Sequence, residues 1–342
     1  MKTLIQPICR LLYLIGIIFI TINVSCINIT NKNSNIEVSK KGVVTQHGKL
    51  SVEGTQLIDS KGNPIILRGV SFGWHNWWSD YYNANAVSQI VNDWKATVVR
   101  AAIGIEPEGA YLNNPGLALQ CLKNVVETAI AEDVYVIIDW HSHGLHLEEA
   151  KAFFKNIAEE YKDYPNIIYE LYNEPVRQSW EEVKEYSIEL IRVIREIDPE
   201  NLILVGSPHW CQDIHLAADD PIIGYNNLMY VMHFYAGTHK EWLRERTDYA
   251  LSQGLPIFIS ECAGMEATGD GPIDIEEWNK YVEWMNDRQL SWAAWSVSGK
   301  DESCSMLKVG SDPKIDWTEN DLKEWGVIVR NQLRKESNTI KE

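Results

Sequence analysis

Two kinds of hydrophobic pattern alternate along the chain. Short runs of consecutive apolar residues are followed by longer stretches in which apolar residues recur every three or four positions. Unbroken apolar runs fit strands buried on both faces of a parallel sheet. Eight occur, at residues 69–72, 97–101, 134–139, 167–172, 202–206, 229–234, 257–260 and 292–295. The periodic stretches predict helices over 117–131, 147–164, 180–197, 238–253, 275–287 and 322–334. In the third of these, Leu190, Ile191, Val193, Ile194 and Ile197 form one apolar stripe. The link between the fifth and sixth strands has room for a short helix only. Upstream, residues 49–52 and 64–67 flank the turn sequence Ser60-Lys61-Gly62-Asn63, which predicts a small β-hairpin.

Eight βα units between residues 69 and 334 match an α/β fold of the (β/α)8 TIM-barrel type in count and length. A doubly wound open sheet would want a glycine-rich phosphate turn after its first strand. The segment Gly69-Val70-Ser71-Phe72-Gly73-Trp74 lacks that spacing, and no Walker motif occurs. The expected architecture is therefore a single barrel domain, 48–335, preceded by the hairpin and followed by a tail, 336–342.

The first 25 residues read as a targeting segment. Lys2 and Arg10 precede an apolar run at 11–22 that is too short to span a bilayer comfortably and fits a secretory signal. Val24-Ser25-Cys26 resembles a bacterial lipoprotein cleavage site, although Asn23 stands where an aliphatic residue is usual. Lipidation of Cys26 and ordinary cleavage with a free Cys26 are the two alternatives. Residues 26–47, rich in Asn, Ser, Lys and Thr, read as a flexible tether. The expected location is secreted or cell-surface.

Charge narrows the partners. The net charge is −17, which argues against nucleic acid or an anionic membrane, leaving lipid at Cys26 as the one membrane attachment. The 14 Trp and 15 Tyr suit flat, uncharged ligands such as sugars, which stack on aromatic faces. The six Cys show no C-x-x-C spacing, so no zinc cluster is expected. Cys211, Cys262 and Cys304 all follow predicted strands, and their pairing is open.

In a barrel, polar residues at the carboxyl ends of the strands converge on one face. Those ends read Arg100, Asp139-Trp140-His141, Asn173-Glu174-Pro175, His233-Phe234-Tyr235, Glu261 and Trp295. Glu174 and Glu261 come from distant strands, and opposed carboxylates are what glycosidic cleavage needs. One protonates the leaving oxygen while the other, ionised, attacks the anomeric carbon.

Tyr172-Asn173-Glu174-Pro175 and Ile259-Ser260-Glu261 resemble the two signatures of glycoside hydrolase family 5. Asp139-Trp140-His141, the run from His233 to His239 and the run from Trp295 to Glu302 resemble its bacterial endoglucanase branch. The similarity covers residues 48–334. It implies a retaining endo-β-1,4-glucanase acting by double displacement without cofactor or metal, a monomer whose partner is a β-glucan. It further implies Glu174 as acid/base with a raised pKa, Glu261 as nucleophile, Arg100 beside the nucleophile and Asn173 on the sugar 2-hydroxyl. His141 and His233 would line the cleavage subsite, and Tyr235 would place its hydroxyl near the nucleophile. Trp295 would lie under the sugar at that subsite, Lys300 would reach a hydroxyl further along, and Trp77 and Trp210 would stack sugars on either side. Several of these have a structural alternative: a barrel ion pair for Arg100, a turn residue for Asn173, core packing for the histidines and Tyr235, loop packing for Trp77 and Trp210.

Three alternatives remain for the activity: the same chemistry on mannan, mixed-linkage glucan or xyloglucan; a catalytically dead carbohydrate-binding surface protein; and an esterase, which would want a motif such as G-x-S-x-G. Three departures from the family pattern bear on the site. Glu261-Cys262-Ala263-Gly264 stands where Glu-Trp-Gly is common, and the segment after His141 is short. No carbohydrate-binding module occurs in these residues, so modest affinity for crystalline cellulose is expected.

Overall fold

The computed structural model describes residues 42–339; the leader, Cys26 and most of the tether lie outside them. A two-stranded antiparallel hairpin, β1 (Ser51–Glu53) and β2 (Gln56–Ile58), precedes the barrel. The barrel strands are β3 (Arg68–Phe72), β4 (Val98–Gly104), β5 (Tyr135–His141), β6 (Ile167–Glu170), β7 (Leu202–Val205), β8 (Leu228–Tyr235), β9 (Ile257–Ala263) and β10 (Trp292–Val297). All pair in parallel and close on themselves, β10 lying beside β3 with Trp292 opposite Arg68. Every residue of these eight strands is buried.

The helix Trp180–Arg195 shows how sequence sets an element. Ser179 accepts from the Glu182 backbone while the Glu182 carboxylate accepts from the Ser179 backbone N–H, which defines the start. Glu181 and Glu182 in the first turn and Arg192 and Arg195 in the last oppose the helix dipole's charge at each end. Val183, Tyr186, Leu190, Ile191 and Ile194 are buried on one stripe.

Two apolar clusters hold the molecule together. The larger lies between strands and helices. The smaller fills the N-terminal half of the barrel interior with Tyr135, Ile137, Ile168, Leu204, Val231 and Phe258, and the hairpin region closes it with Leu50, Leu57, Ile65 and Leu67.

The sequence reading is corrected at four places. The hairpin turns at Gly54, where φ is +60°, so its second strand is β2 rather than 64–67; Ser60–Asn63 is a further turn tied by Asp59, which accepts from the Lys61 and Asn63 backbones. Residues 43–47, placed in the tether, form a short helix with Val44 buried and its N–H on the Asp133 carbonyl. Between β3 and β4 stand short helices at His75–Trp78 and Ala84–Gln89, where no helix is predicted. The last helix, Glu324–Thr339, runs past residue 335, and Glu336 anchors it by ion-pairing with Arg68 at 3.4 Å.

Candidate active site

Residues two apart on a strand share a face. Val98 packs inside the barrel, so Arg100 points inward above it; Asp139 and His141 follow Ile137 in the same way, and Glu170 follows Ile168. Strand β9 breaks the rule. Three residues of β8, from Val231 to His233, oppose four of β9, from Phe258 to Glu261, and β10 records the same slip from Trp292 to Ala294. This bulge turns the consecutive residues Ser260 and Glu261 to one face.

Arg100 is fully buried at the centre. Its Nε and Nη2 donate to the two Glu170 oxygens at 2.7 and 3.1 Å, a bidentate pair. Nη1 donates to Glu261 Oε2 at 3.0 Å, and Nη2 also reaches Asn173 Oδ1 at 2.7 Å and Asp139 Oδ2 at 2.9 Å. Tyr235 donates its hydroxyl to the other Glu261 oxygen at 2.7 Å. Both oxygens of Glu261 are thus fixed, and Asn173, its oxygen held by Arg100, keeps its amide N–H groups as donors.

Glu174 sits across the barrel mouth, with Oε1 at 3.0 Å from His233 Nδ1 and Oε2 at 3.4 Å from His143 Nε2. Glu174, His233 and Glu261 each offer an atom within 4.8 Å of the others. Among the described residues this is the one group spaced for a metal ion, yet its donors are engaged by Arg100, Tyr235 and Ser260. His141 and His143, spaced along the chain like metal ligands, face different partners, Asp139 at 2.7 Å and Glu174.

Electrostatics follow from these contacts. Burial pushes the Glu174 carboxyl up, but His143 and His233 outweigh it and bring it down to about 2. The raised Glu174 pKa expected from sequence is therefore replaced by a lowered one, because His143 and His233 both face the carboxylate. Burial and the Glu174 charge push Glu261 up against the pull of His233, Arg100 and Tyr235. Burial lowers His233, yet the nearby Glu170 and Glu174 carboxylates raise it to about 9. His141 is driven well down by burial and Arg100, which leaves a neutral imidazole.

The cleft runs to both sides of Glu174. One side is lined by Trp74, Trp77, Trp78, Trp295, Lys300 and Glu302. Trp295 stacks on His141 with ring planes 4° apart, and Gly104 leaves room for Trp74 edge-on to the same imidazole; a Cβ there would lie 2.6 Å from the Trp74 ring. Lys300 pairs with Glu302 at 2.5 Å, and Trp77 is 56% exposed. The other side is lined by Trp210, His209, Gln212 and His239. His209, Trp210 and Cys211 all have positive φ, near +55°, an unfavourable conformation for non-glycine residues. The Cys211 thiol on the Asn173 carbonyl at 3.1 Å and the Trp210 N–H on the Pro175 carbonyl at 2.9 Å hold this turn in place.

The model of the cellulase family, glycosyl hydrolase family 5, matches residues 58–301. The chain belongs to glycosyl hydrolase family 5. An endoglucanase of Clostridium saccharobutylicum is 40% identical over 84% of this chain and 65% of its own length, so the family 5 chain spans about two thirds of that relative. A solved structure from Cytophaga hutchinsonii is 39% identical with a TM-score of 0.86, covering 88% of this chain and 99% of that one. The catalytic domain of Thermobifida fusca endoglucanase Cel5A is 32% identical with a TM-score of 0.82, covering 85% and 99%, and a variant of it has been solved with cellotetraose.

In this family 5 barrel Glu174, Glu261, His141, Tyr235 and Trp295 line one space, with Arg100, bonded to Glu261 and Asn173, buried behind it; Trp77 and Lys300 stand on this side, and His233 and Trp210 line the other. Sequence reasoning missed Glu170, Ser260 and His143. A signal existed for Glu170: it is a lone charge within the apolar run Ile167-Ile168-Tyr169-Glu170-Leu171-Tyr172. The Cys262 thiol, pushed well up by burial and the Glu261 charge, follows Glu261 in β9 with its sulfur on the Ala293 carbonyl at 3.5 Å, unsuited to attack. Cys121, Cys211, Cys262 and Cys304 are all free thiols.

Proposed function

We propose that this family 5 chain is an endo-β-1,4-glucanase that cleaves with retention of anomeric configuration. One observation carries the reading: oxygens of Glu174 and Glu261 lie within 4.8 Å. Retaining glycosidases keep their carboxyls about 5–5.5 Å apart, whereas inverting ones leave about 6.5–9.5 Å for a water. Glu261, aimed by Arg100 and Tyr235, attacks the anomeric carbon while Glu174 gives its proton to the departing oxygen. Water then loses a proton to Glu174, attacks the glycosyl ester and frees Glu261.

The remaining side chains take roles that match their surroundings. Asn173 donates to the 2-hydroxyl, with its oxygen held by Arg100. Trp295 supports the sugar undergoing cleavage, Trp77 and Lys300 bind the glycosyl side, and Trp210 stacks the leaving sugar. Once Glu261 is glycosylated its charge is gone, so Glu174 no longer faces a neighbouring carboxylate. The chain acts as a monomer, exported by residues 1–25, with Cys26 either lipidated or free; mass spectrometry of the mature N-terminus separates these two forms.

Product analysis on cellohexaose by NMR, with parallel assays on carboxymethylcellulose, galactomannan and barley glucan, tests the reading. Internal cleavage of cellohexaose with β-configured first products is expected. Turnover confined to galactomannan, or first products of α configuration, would overturn it.

A further inference from the structure

Behind the glutamate pair, three side chains link β6, β8 and β9. Glu170 is bidentate to Arg100, and burial, which raises its pKa, is outweighed by that guanidinium, so it stays ionised, down to about 2. An ionised carboxylate only accepts, so the Ser260 hydroxyl at 2.6 Å must donate to it. The hydroxyl's single hydrogen is then used, and the His233 Nε2 at 2.9 Å must donate to the Ser260 oxygen. We propose that Glu170 and Ser260 are positioning residues that fix His233 as its Nε2–H tautomer, so that its Nδ1 and Glu174 Oε1 hold one proton between them for the acid/base step. This inference rests on Glu174 being the acid/base.

The consequence follows at the 3.0 Å contact between Nδ1 and Glu174. When His233 is neutral its Nδ1 is bare and only accepts, so the hydrogen bond persists only with the proton on Glu174. When His233 is cationic, Nδ1–H donates to the Glu174 carboxylate. One proton lies on this line in both states, moving between oxygen and nitrogen with no other bond broken. With the tautomer released, neutral His233 would carry its hydrogen on Nδ1 and satisfy a deprotonated Glu174, leaving the acid without its proton. Glu170 and Glu174 face His233 from β6 and the turn after it, Glu261 from β9 and His141 from β5; His239 lies beyond its own strand, and Arg100 of β4 stands behind Glu170.

Ser260→Ala removes the relay while leaving the Glu170–Arg100 pair intact, and Ser260→Thr restores a hydroxyl. Nitrogen-15 NMR on the histidine-labelled full chain, with His233→Gln to assign the signal, reads the tautomer. The neutral form is expected as Nε2–H in the wild type and Nδ1–H in Ser260→Ala. The basic limb of the kcat/KM–pH profile on cellopentaose should move to lower pH in Ser260→Ala by about one unit, tenfold in proton affinity, because a buried donor loses its acceptor. Ser260→Thr should return it. An Nδ1–H tautomer in the wild type overturns the inference, as does a basic limb that stays put in Ser260→Ala while only the amplitude falls. The tautomer is read in the resting protein and needs no turnover, so its failure is distinct from failure of the Glu174 assignment, which an active Glu174→Gln would show.

Discussion

The two halves of the barrel interior are built from the same strands and are equally buried, yet they have opposite chemistry. The N-terminal half holds Tyr135, Ile137, Ile168, Leu204 and Phe258; one or two steps further along the same or adjacent strands come Asp139, Glu170, Ser260 and Arg100. Apolar area removed from water stabilises the lower half at about 25 cal/mol per Å². The upper half gains little net stability, because desolvating Arg100, Asp139, Glu170 and Glu261 offsets much of their mutual attraction. The comparison teaches that one half secures the fold and the other is retained for chemistry.

Substitutions in each half sharpen or break that division. The largest effect is expected for Glu174→Gln and Glu261→Gln, each lowering kcat about 10³-fold or more. The melting temperature should hold or rise in Glu261→Gln, since one charge leaves a crowded site, and fall modestly in Glu174→Gln, whose carboxylate is paired with His143 and His233; a large drop in either would blur the division. Arg100→Met strands Asp139, Glu170 and Glu261 without their cation. It should lower unfolding free energy by about 3–5 kcal/mol as well as activity, measured by urea titration and cellopentaose assay. Phe258→Ala in the lower half should cost about 3–5 kcal/mol in the same titration while kcat/KM at 25 °C stays near wild type.

Acid and alkali should act on the upper half through Glu170 and His233. Glu170 falls from its ordinary 4.5 to about 2, so its contribution is present above 4.5 and fades as pH drops toward 2. His233 rises from 6.5 to about 9, so its contribution is full below 6.5 and is lost as pH climbs through 9. Calorimetry should show the alkaline decline flattened in His233→Gln but merely displaced to lower temperature in Phe258→Ala. The smallest effect is expected at the rim: Trp77→Ala should leave stability within about 0.5 kcal/mol and raise KM for cellohexaose more than for cellotriose.

Much of the barrel was legible because parallel strands covered on both faces read as unbroken apolar runs, and turn residues punctuate them. Helix starts such as Ser179 with Glu182 were legible for the same local reason. The short helices between β3 and β4 were not, since Trp74-His75-Asn76-Trp77-Trp78 carries no helical period and is shaped by packing around His141. The two glutamates were found from their place at strand ends. Ser260 was missed because strict alternation points it away from Glu261, and only a bulge visible in three paired strands puts both inside. The low Glu174 pKa was missed for a related reason: His143 reaches it from another loop, a proximity that linear spacing does not encode.

Arg100 draws its partners from β3, β5, β6 and β9 and from the turn carrying Asn173. No half-assembled ring of strands supplies them all. Hydrolytic competence therefore arrives with the last strand to dock, and the return of turnover during refolding would serve as a clock for ring closure.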